Sequence, residues 1–242
     1  MLDLDQAIKE RHSTRMFLPQ PVPRELVNEA LALAQYAPSN PNIQPWHLVF
    51  ASGAARDPLV AALVDEAKRR PPNIPPLPPS FQHFRSELGA QVYGAMGIAR
   101  ENAAAHAAAV LRNWEFFRAP LTGVVCMHRD LGPADALSVG MFLQTLLLAL
   151  TERDLGSCVE VSIAGYPEIV RAQLGILQGR SLRRKNAILL APVPRRMFAL
   201  TRQKSTLFQW LVVPLWVPTG KDSVPTDSGH SVRVLLSSTL NS

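Results

Sequence analysis

The chain has 242 residues, 25 of them basic and 19 acidic, for a formal charge of +6. Apolar residues make up 47% and charged residues 18%, which excludes wholesale disorder and supports one large domain or two small ones. Two cysteines, Cys126 and Cys158, are too few for a disulfide framework and favour a reducing, cytoplasmic setting. The opening Met1-Leu-Asp-Leu-Asp5 puts acids where a secretory leader has its basic region, so no signal segment is expected.

Residues 3–11 open as a helix, with Asp3 as its cap, Gln6 three residues on, and Leu4, Ala7 and Ile8 on one face. Residues 11–19 read as extended, ahead of a proline-rich turn. A second helix spans 24–36, with Leu26, Val27, Ala30, Leu31 and Ala34 at helical spacing. Pro38, Pro41 and Pro45 forbid a regular element over 37–45, and Trp46 to Ala51 reads as a buried strand.

A third helix covers 58–70 and ends in Lys68-Arg69-Arg70, which suits the negative end of the helix dipole. Residues 71–79 hold six prolines and form an extended excursion, and 81–117 is mostly helical. Leu121 to His128 is apolar enough for a central strand. Pro133 starts a helix running to about Arg153, uncharged from Ala136 to Thr151. That stretch is short of a membrane span, so the reading is a helix buried on all sides at a subunit interface. Gly156 is expected to stop it, Cys158 to Ile163 to be irregular or extended, and Tyr166 to Leu174 to form one more helix.

Three segments concentrate polar residues that a core would not accept. In Arg11-His12-Ser13-Thr14-Arg15 an extended backbone puts Arg11, Ser13 and Arg15 on one side. Two guanidiniums beside a hydroxyl suit a phosphate, because each offers a planar fork that stays charged. Taken alone, the cluster also fits a solvated helix end. In Ser39-Asn40-Pro41-Asn42-Ile43-Gln44, hydroxyl and amide groups sit on a proline-stiffened loop that suits a heterocycle edge, or an ordinary Asx turn. In 156–165 small residues and two glycines permit close approach of a planar ligand. There is no G-x-G-x-x-G or P-loop pattern, and the six histidines lack metal-ligand spacing. Cys158 has no basic neighbour in sequence to activate it and reads as a small buried thiol.

Together these segments resemble the FMN-dependent nitroreductase family. The likeness is carried by residues 10–17, by 37–47, and by the uncharged helix running into 155–158 and 164–168, with order and spacing agreeing from about Leu4 to Ile176. The resemblance implies an α+β fold, a mixed sheet flanked by helices, built as an intertwined homodimer with FMN at each subunit interface. It implies that Arg11, His12, Ser13 and Arg15 hold the FMN phosphate and the pyrimidine side of the flavin. Ser39, Asn40 and Asn42 would reach FMN from the partner subunit, with Gln44 close by. Ser162, Ile163, Ala164 and Gly165 would lie against the ring near N5, and Glu160 is a further candidate. No catalytic side chain is implied, because the cofactor carries the chemistry: NAD(P)H as hydride donor, then a nitroaromatic, quinone or similar small oxidant. Residues 71–100, with Phe84 and Tyr93, would cap the substrate side. Dehalogenation or flavin fragmentation on the same scaffold is the alternative within the flavin class.

After Ile176 the resemblance stops, dividing the chain into a flavin-binding part, 1–177, and an atypical basic segment, 178–242. The first part holds 15 basic and 17 acidic residues and the second 10 and 2, so the whole charge excess, and the pI near 9.8, belong to the last quarter. Asn186 to Ala191 reads as a strand, Arg202 or Lys204 as a replacement phosphate-binding base, and Leu207 to Val217 as an apolar run too short for a bilayer. Two explanations stay open for this segment. One is an altered reading frame in a defective family member. The other is a tail that binds nucleic acid or anionic lipid.

Overall fold

The computed structural model describes residues 2–176, together with the backbone of the strands Asn186–Pro192 and Val232–Leu235. In chain order the elements are helices α1 (Leu4–Glu10) and α2 (Arg24–Ala34), strand β1 (His47–Ser52), and helices α3 (Asp57–Arg69), α4 (Gln82–Ala95) and α5 (Ala103–Leu111). Strand β2 (Leu121–Cys126), helix α6 (Pro133–Glu152), strand β3 (Leu155–Glu160), helix α7 (Pro167–Leu174) and strands β4 (Asn186–Pro192) and β5 (Val232–Leu235) follow. The strands form one mixed sheet in the order β3-β4-β2-β1-β5, antiparallel except where β5 runs parallel to β1.

Alternation along β1 and β2 sends side chains to two cores. Leu48, Phe50, Leu121 and Val125 meet α2 and α6 through Ala30, Leu31, Phe142, Leu143, Leu146 and Leu150. On the opposite face, Val49, Ala51, Val124 and Cys126 meet α3 and α7 through Leu59, Leu63, Val170 and Leu174. Helices therefore cover both faces of the sheet, the layered arrangement that buries an apolar strand completely. Gly123 stands opposite Phe50, and a side chain at Gly123 would run into the Phe50 ring at 2.7 Å, so the glycine makes room for the core aromatic.

The expected helices and strands are present, and four expectations change in detail. Asp3 Oδ1 accepts the Gln6 N–H at 2.8 Å, but the Gln6 side chain donates to Glu10 rather than back to Asp3, so half of the capping box forms. Only Ala7 of the α1 apolar face is covered; Leu4 is 65% and Ile8 49% exposed. The 81–117 region is two helices, interrupted where Gly97 takes a left-handed conformation.

The fourth change concerns α6. Its turn into β3 is made by Asp154, with φ 57°, while Gly156 lies inside β3 opposite Ala191 and does not stop the helix. By length and composition α6 could cross a membrane, yet Phe142, Leu143, Leu146 and Leu150 are core residues. Its hydroxyls are absorbed by bonds one turn back, as from Thr151 to the Leu147 carbonyl at 2.8 Å. Within one chain it is not buried all round, since Leu137 is 57% exposed and Gln144 is also at the surface. Asn186–Ala191 is the strand expected there, and β5 was not foreseen. Arg202, Lys204 and the apolar run 207–217 lie outside the described residues.

Candidate functional site

The N-terminal segment after α1 is extended and docks on the free edge of β3. Ser13 forms a parallel bridge with Ser157, and the Thr14 N–H donates to the Ser157 carbonyl at 2.9 Å. His12 is anchored one residue earlier, its Nδ1 donating to the Glu10 carbonyl at 2.8 Å, which fixes the ring against the end of α1. These bonds bring Arg11, Ser13 and Arg15 to the end of β3 that carries Cys158 and Glu160.

The gathering point is the Cys158 sulfur. Ser13 hydrogen-bonds it, and Arg15, Glu160 and Arg11 all act on it electrostatically. Burial outweighs the two guanidiniums and pushes the thiol up to about 11, so it is neutral and unreactive at pH 7. Arg11 is itself buried, and desolvation lowers its pKa, although the guanidinium stays charged. The cluster holds two cations against one carboxylate, Glu160. Glu160 is buried, and its Oε1 accepts the Ser162 N–H at 2.7 Å, tying β3 to the next loop.

That loop is a 3₁₀ turn, Ser162–Gly165. Ser162 and Ala164 are half-buried, whereas Ile163 is fully buried among Leu59, Leu63 and Val170. Gly165 packs against the proline-rich excursion. Its carbonyl accepts the Asn73 N–H at 3.1 Å, and Pro72 fills the space where a side chain would stand. The excursion is fastened again where the Tyr166 hydroxyl donates to the Arg70 carbonyl at 2.6 Å and Arg70 pairs with Glu66 and Glu168. Beyond it, Phe84 lies beside Phe81 and His83, and Tyr93 stands edge-on to His106 at 4.4 Å.

Ser39, Asn40, Asn42 and Gln44 form a second group. The Gln44 N–H donates to Ser39 Oγ at 2.9 Å and the Asn42 N–H to the Ser39 carbonyl at 2.6 Å. Asn42 and Gln44 both take left-handed backbone, with φ 65° and 46°. The hydrogen bonds of Ser39, Asn42 and Gln44 with described residues all stay within this loop, so one chain does not join it to the Arg11–Arg15 group by hydrogen bonding.

Sequence reasoning missed two residues of the first group. Ser157 lies in the 156–165 segment singled out from the sequence, but its docking role was unread, because a strand gives no sign of which edge a distant segment docks on. Phe117, whose ring lies 5.9 Å from the Arg15 guanidinium carbon, was hidden in a stretch read only as helical.

The sequence pattern of the Nitroreductase family matches residues 8–181. Nitroreductase NfnB of Mycolicibacterium smegmatis is 35% identical over 185 residues, covering 72% of this chain and 79% of that protein. Nitrobenzene nitroreductase of Ectopseudomonas oleovorans is 33% identical, covering 72% and 80%. The crystal structure of the FMN-dependent nitroreductase NfnB from Mycobacterium smegmatis in complex with NADPH superposes with a TM-score of 0.71 at 32% identity, covering 82% of this chain and 92% of that one. By family match, identity and fold, the chain belongs to the nitroreductase family, a family of α+β oxidoreductases.

Proposed function

We propose that this chain is an FMN-dependent oxidoreductase that takes hydride from NAD(P)H and passes the electrons to a nitroaromatic, quinone or similar small oxidant. The observation that carries the reading is the positively charged cluster of Arg11, Ser13 and Arg15 docked on β3 beside the Ser162–Gly165 turn. The names of the relatives support it: one is bound to NADPH and described as FMN-dependent, another reduces nitrobenzene by name.

The residues present fit such a cofactor. Among the described residues Arg15 has no carboxylate within ion-pair distance, and Gln44 Oε1 is buried without a hydrogen bond. A group with phosphate oxygens and ring N–H donors answers both kinds of need. When bound, FMN supplies the hydride acceptor and donor chemistry. The protein's own task is to bind and orient. In this reading Arg11, His12, Ser13 and Arg15 hold the phosphate and the pyrimidine side, and Arg15 stabilises negative charge on the reduced ring. Ser162 and Ala164 present the turn to the ring near N5. Ile163 and Gly165 support it from beneath, because one is core and the other is occupied by Pro72. Glu160 holds the turn through Ser162.

Ser39, Asn40, Asn42 and Gln44 contribute in this reading from a partner subunit. Support for a homodimer comes from the exposed apolar side chains Leu4, Ile8 and Leu137 on α1 and α6. Residues 1–177 are the flavin-binding part of the proposal, and 178–242 the atypical basic continuation. The family match ends at residue 181, yet β4 and β5 of the continuation lie in the same sheet as β1–β3, so composition rather than fold sets it apart, and sequencing the coding DNA tests whether its frame is altered.

The test of the flavin reading is the visible spectrum of the purified protein, followed by anaerobic NAD(P)H. A yellow protein that bleaches, then recovers colour on adding a nitroaromatic or quinone, is expected. A colourless protein that cannot take up added FMN would overturn the reading. A protein that bleaches but returns electrons only in dehalogenation or flavin fragmentation would move it to the alternative within the flavin class.

A further inference from the structure

Three consecutive residues with no glycine among them, Phe116, Phe117 and Arg118, hold left-handed backbone with φ 53°, 49° and 61°. L side chains disfavour that conformation at every one of these positions, so the surrounding structure must impose it. Several contacts do so. Phe116 is fully buried among Leu59, Leu63 and Trp114. The Phe117 N–H donates to the Arg112 carbonyl at 2.8 Å, and the Ala119 N–H closes the turn on the Phe116 carbonyl at 2.9 Å. Glu115 is held from both sides, its carboxylate by Arg118 at 3.1 Å and its carbonyl by Arg56 at 3.0 Å.

The product of this strained turn is the placement of one ring. Phe117 lies 5.9 Å from the Arg15 guanidinium carbon, within the range of a cation–π contact. No carboxylate lies within ion-pair distance of Arg15 among the described residues, and the Phe117 ring is set against the guanidinium. A long arginine side chain loses much rotamer freedom when it is held for a ligand. A ring face that holds the guanidinium beforehand lowers that loss at the moment of binding.

We propose that Phe117 is a positioning residue: the left-handed turn 116–118 exists to set its ring against Arg15 and pre-orient that guanidinium for the anionic cofactor. The inference rests on the flavin reading given above for the identity of the ligand, but not for the contact itself.

The test is a double-mutant cycle on FMN affinity, read by quenching of flavin fluorescence, with Phe117→Leu, Phe117→Tyr, Arg15→Ala and the combination. Phe117→Leu is expected to weaken FMN binding on the order of 2- to 5-fold, the size of a partly exposed cation–π contact. Phe117→Tyr, which keeps the ring face, is expected to restore it. In the Arg15→Ala background Phe117→Leu is expected to have no further effect. An equal loss with and without Arg15 would mean that the ring serves only the local fold, and would overturn the proposal. A second readout needs no flavin: phenylglyoxal labelling of Arg15 in the cofactor-free protein, mapped by mass spectrometry, is expected to speed up in Phe117→Leu but not in Phe117→Tyr. If wild type binds no FMN, the flavin reading fails, while the labelling rates still decide the Phe117 proposal. Unchanged labelling in Phe117→Leu counts against it.

Discussion

Pro72 occupies the space above Gly165. A side chain added at Gly165 would collide with the proline ring and come within 3.0 Å of its Cα, and the Asn73 N–H is already bonded to the Gly165 carbonyl. The turn beside the candidate flavin site and the base of the proline-rich excursion are therefore one packed unit. Gly165→Ala is expected to destabilise the protein by about 1–3 kcal/mol, the usual cost of overpacking a site that cannot yield. It should also make residues 71–79 more susceptible to limited proteolysis. Urea unfolding and protease digestion measure the two effects, and a wild-type digestion pattern would show that the excursion is held elsewhere.

The second fastening is the Tyr166 hydroxyl on the Arg70 carbonyl at 2.6 Å. Tyr166→Phe keeps the buried ring and removes only this bond. A loss of about 1 kcal/mol is expected, the net value of one hydrogen bond, since the Arg70 carbonyl is free to find water. Chemical denaturation of the two proteins checks it, and no change would mean that the bond is offset by the cost of burying the hydroxyl.

Arg15→Ala addresses the cofactor directly. Removing a charged donor from an anionic ligand costs about 1.5–3 kcal/mol, so FMN affinity is expected to fall roughly 10- to 100-fold. Flavin reduction by NAD(P)H should slow in protein reconstituted with excess FMN. Flavin titration and stopped-flow reduction measure both. Wild-type values in this variant would remove Arg15 from the site.

Cys158 predicts a pH effect. Its thiol is raised by burial to about 11 from an ordinary value of 9.0, so the folded state favours the neutral form. The stability this contributes is complete below pH 9 and is lost as the pH rises through about 11, because only the unfolded chain ionises easily there. Two pKa units correspond to about 2–3 kcal/mol. Between pH 9 and 11 wild type is expected to lose stability more steeply than Cys158→Ala, measured by urea unfolding at each pH. Parallel curves would contradict the assignment. The native thiol should also resist alkylation at pH 7.

Ile8→Asp combined with Leu137→Asp tests the proposed dimer. Both side chains are about half exposed on one chain, so two carboxylates cost little there and a great deal inside an apolar interface. Light scattering should give twice the 26.6 kDa chain mass for wild type and a single chain mass for the double variant. A wild-type protein that is already monomeric would sink the idea.

Local rules carried much of this structure. The cap at Asp3, the prolines of 37–45 and 71–79 and the unbroken apolar run of β2 each announce their element in the residues themselves. The extended course of the Arg11–Arg15 segment, with its two arginines flanking a serine at strand spacing, was legible as well. What remained hidden depended on distant partners. Nothing in Phe116-Phe117-Arg118 signals left-handed backbone, since none is a residue that favours it, and burial of Phe116 together with the hydrogen bonds around the turn imposes it. Asp154 making a turn expected of Gly156 has the same origin: tertiary pairing drew the glycine into β3. Leu4 and Ile8 were rightly seen as one apolar face, but periodicity cannot say whether its cover comes from the same chain.

The sheet order has a consequence for how the chain reaches this state. β1 and β2 are neighbours although about 70 residues separate them, and β3 touches the rest of the sheet only through β4. No adjacent pair is a tight hairpin, so every pairing closes a long loop before it is rewarded, a topology associated with slow folding. During synthesis, Arg11 and Arg15 emerge early and wait until residue 157 has left the ribosome before their docking edge exists. The Arg11–Arg15 segment is thus among the first parts of the chain to be made, yet it takes its shape only after much of the chain has followed it.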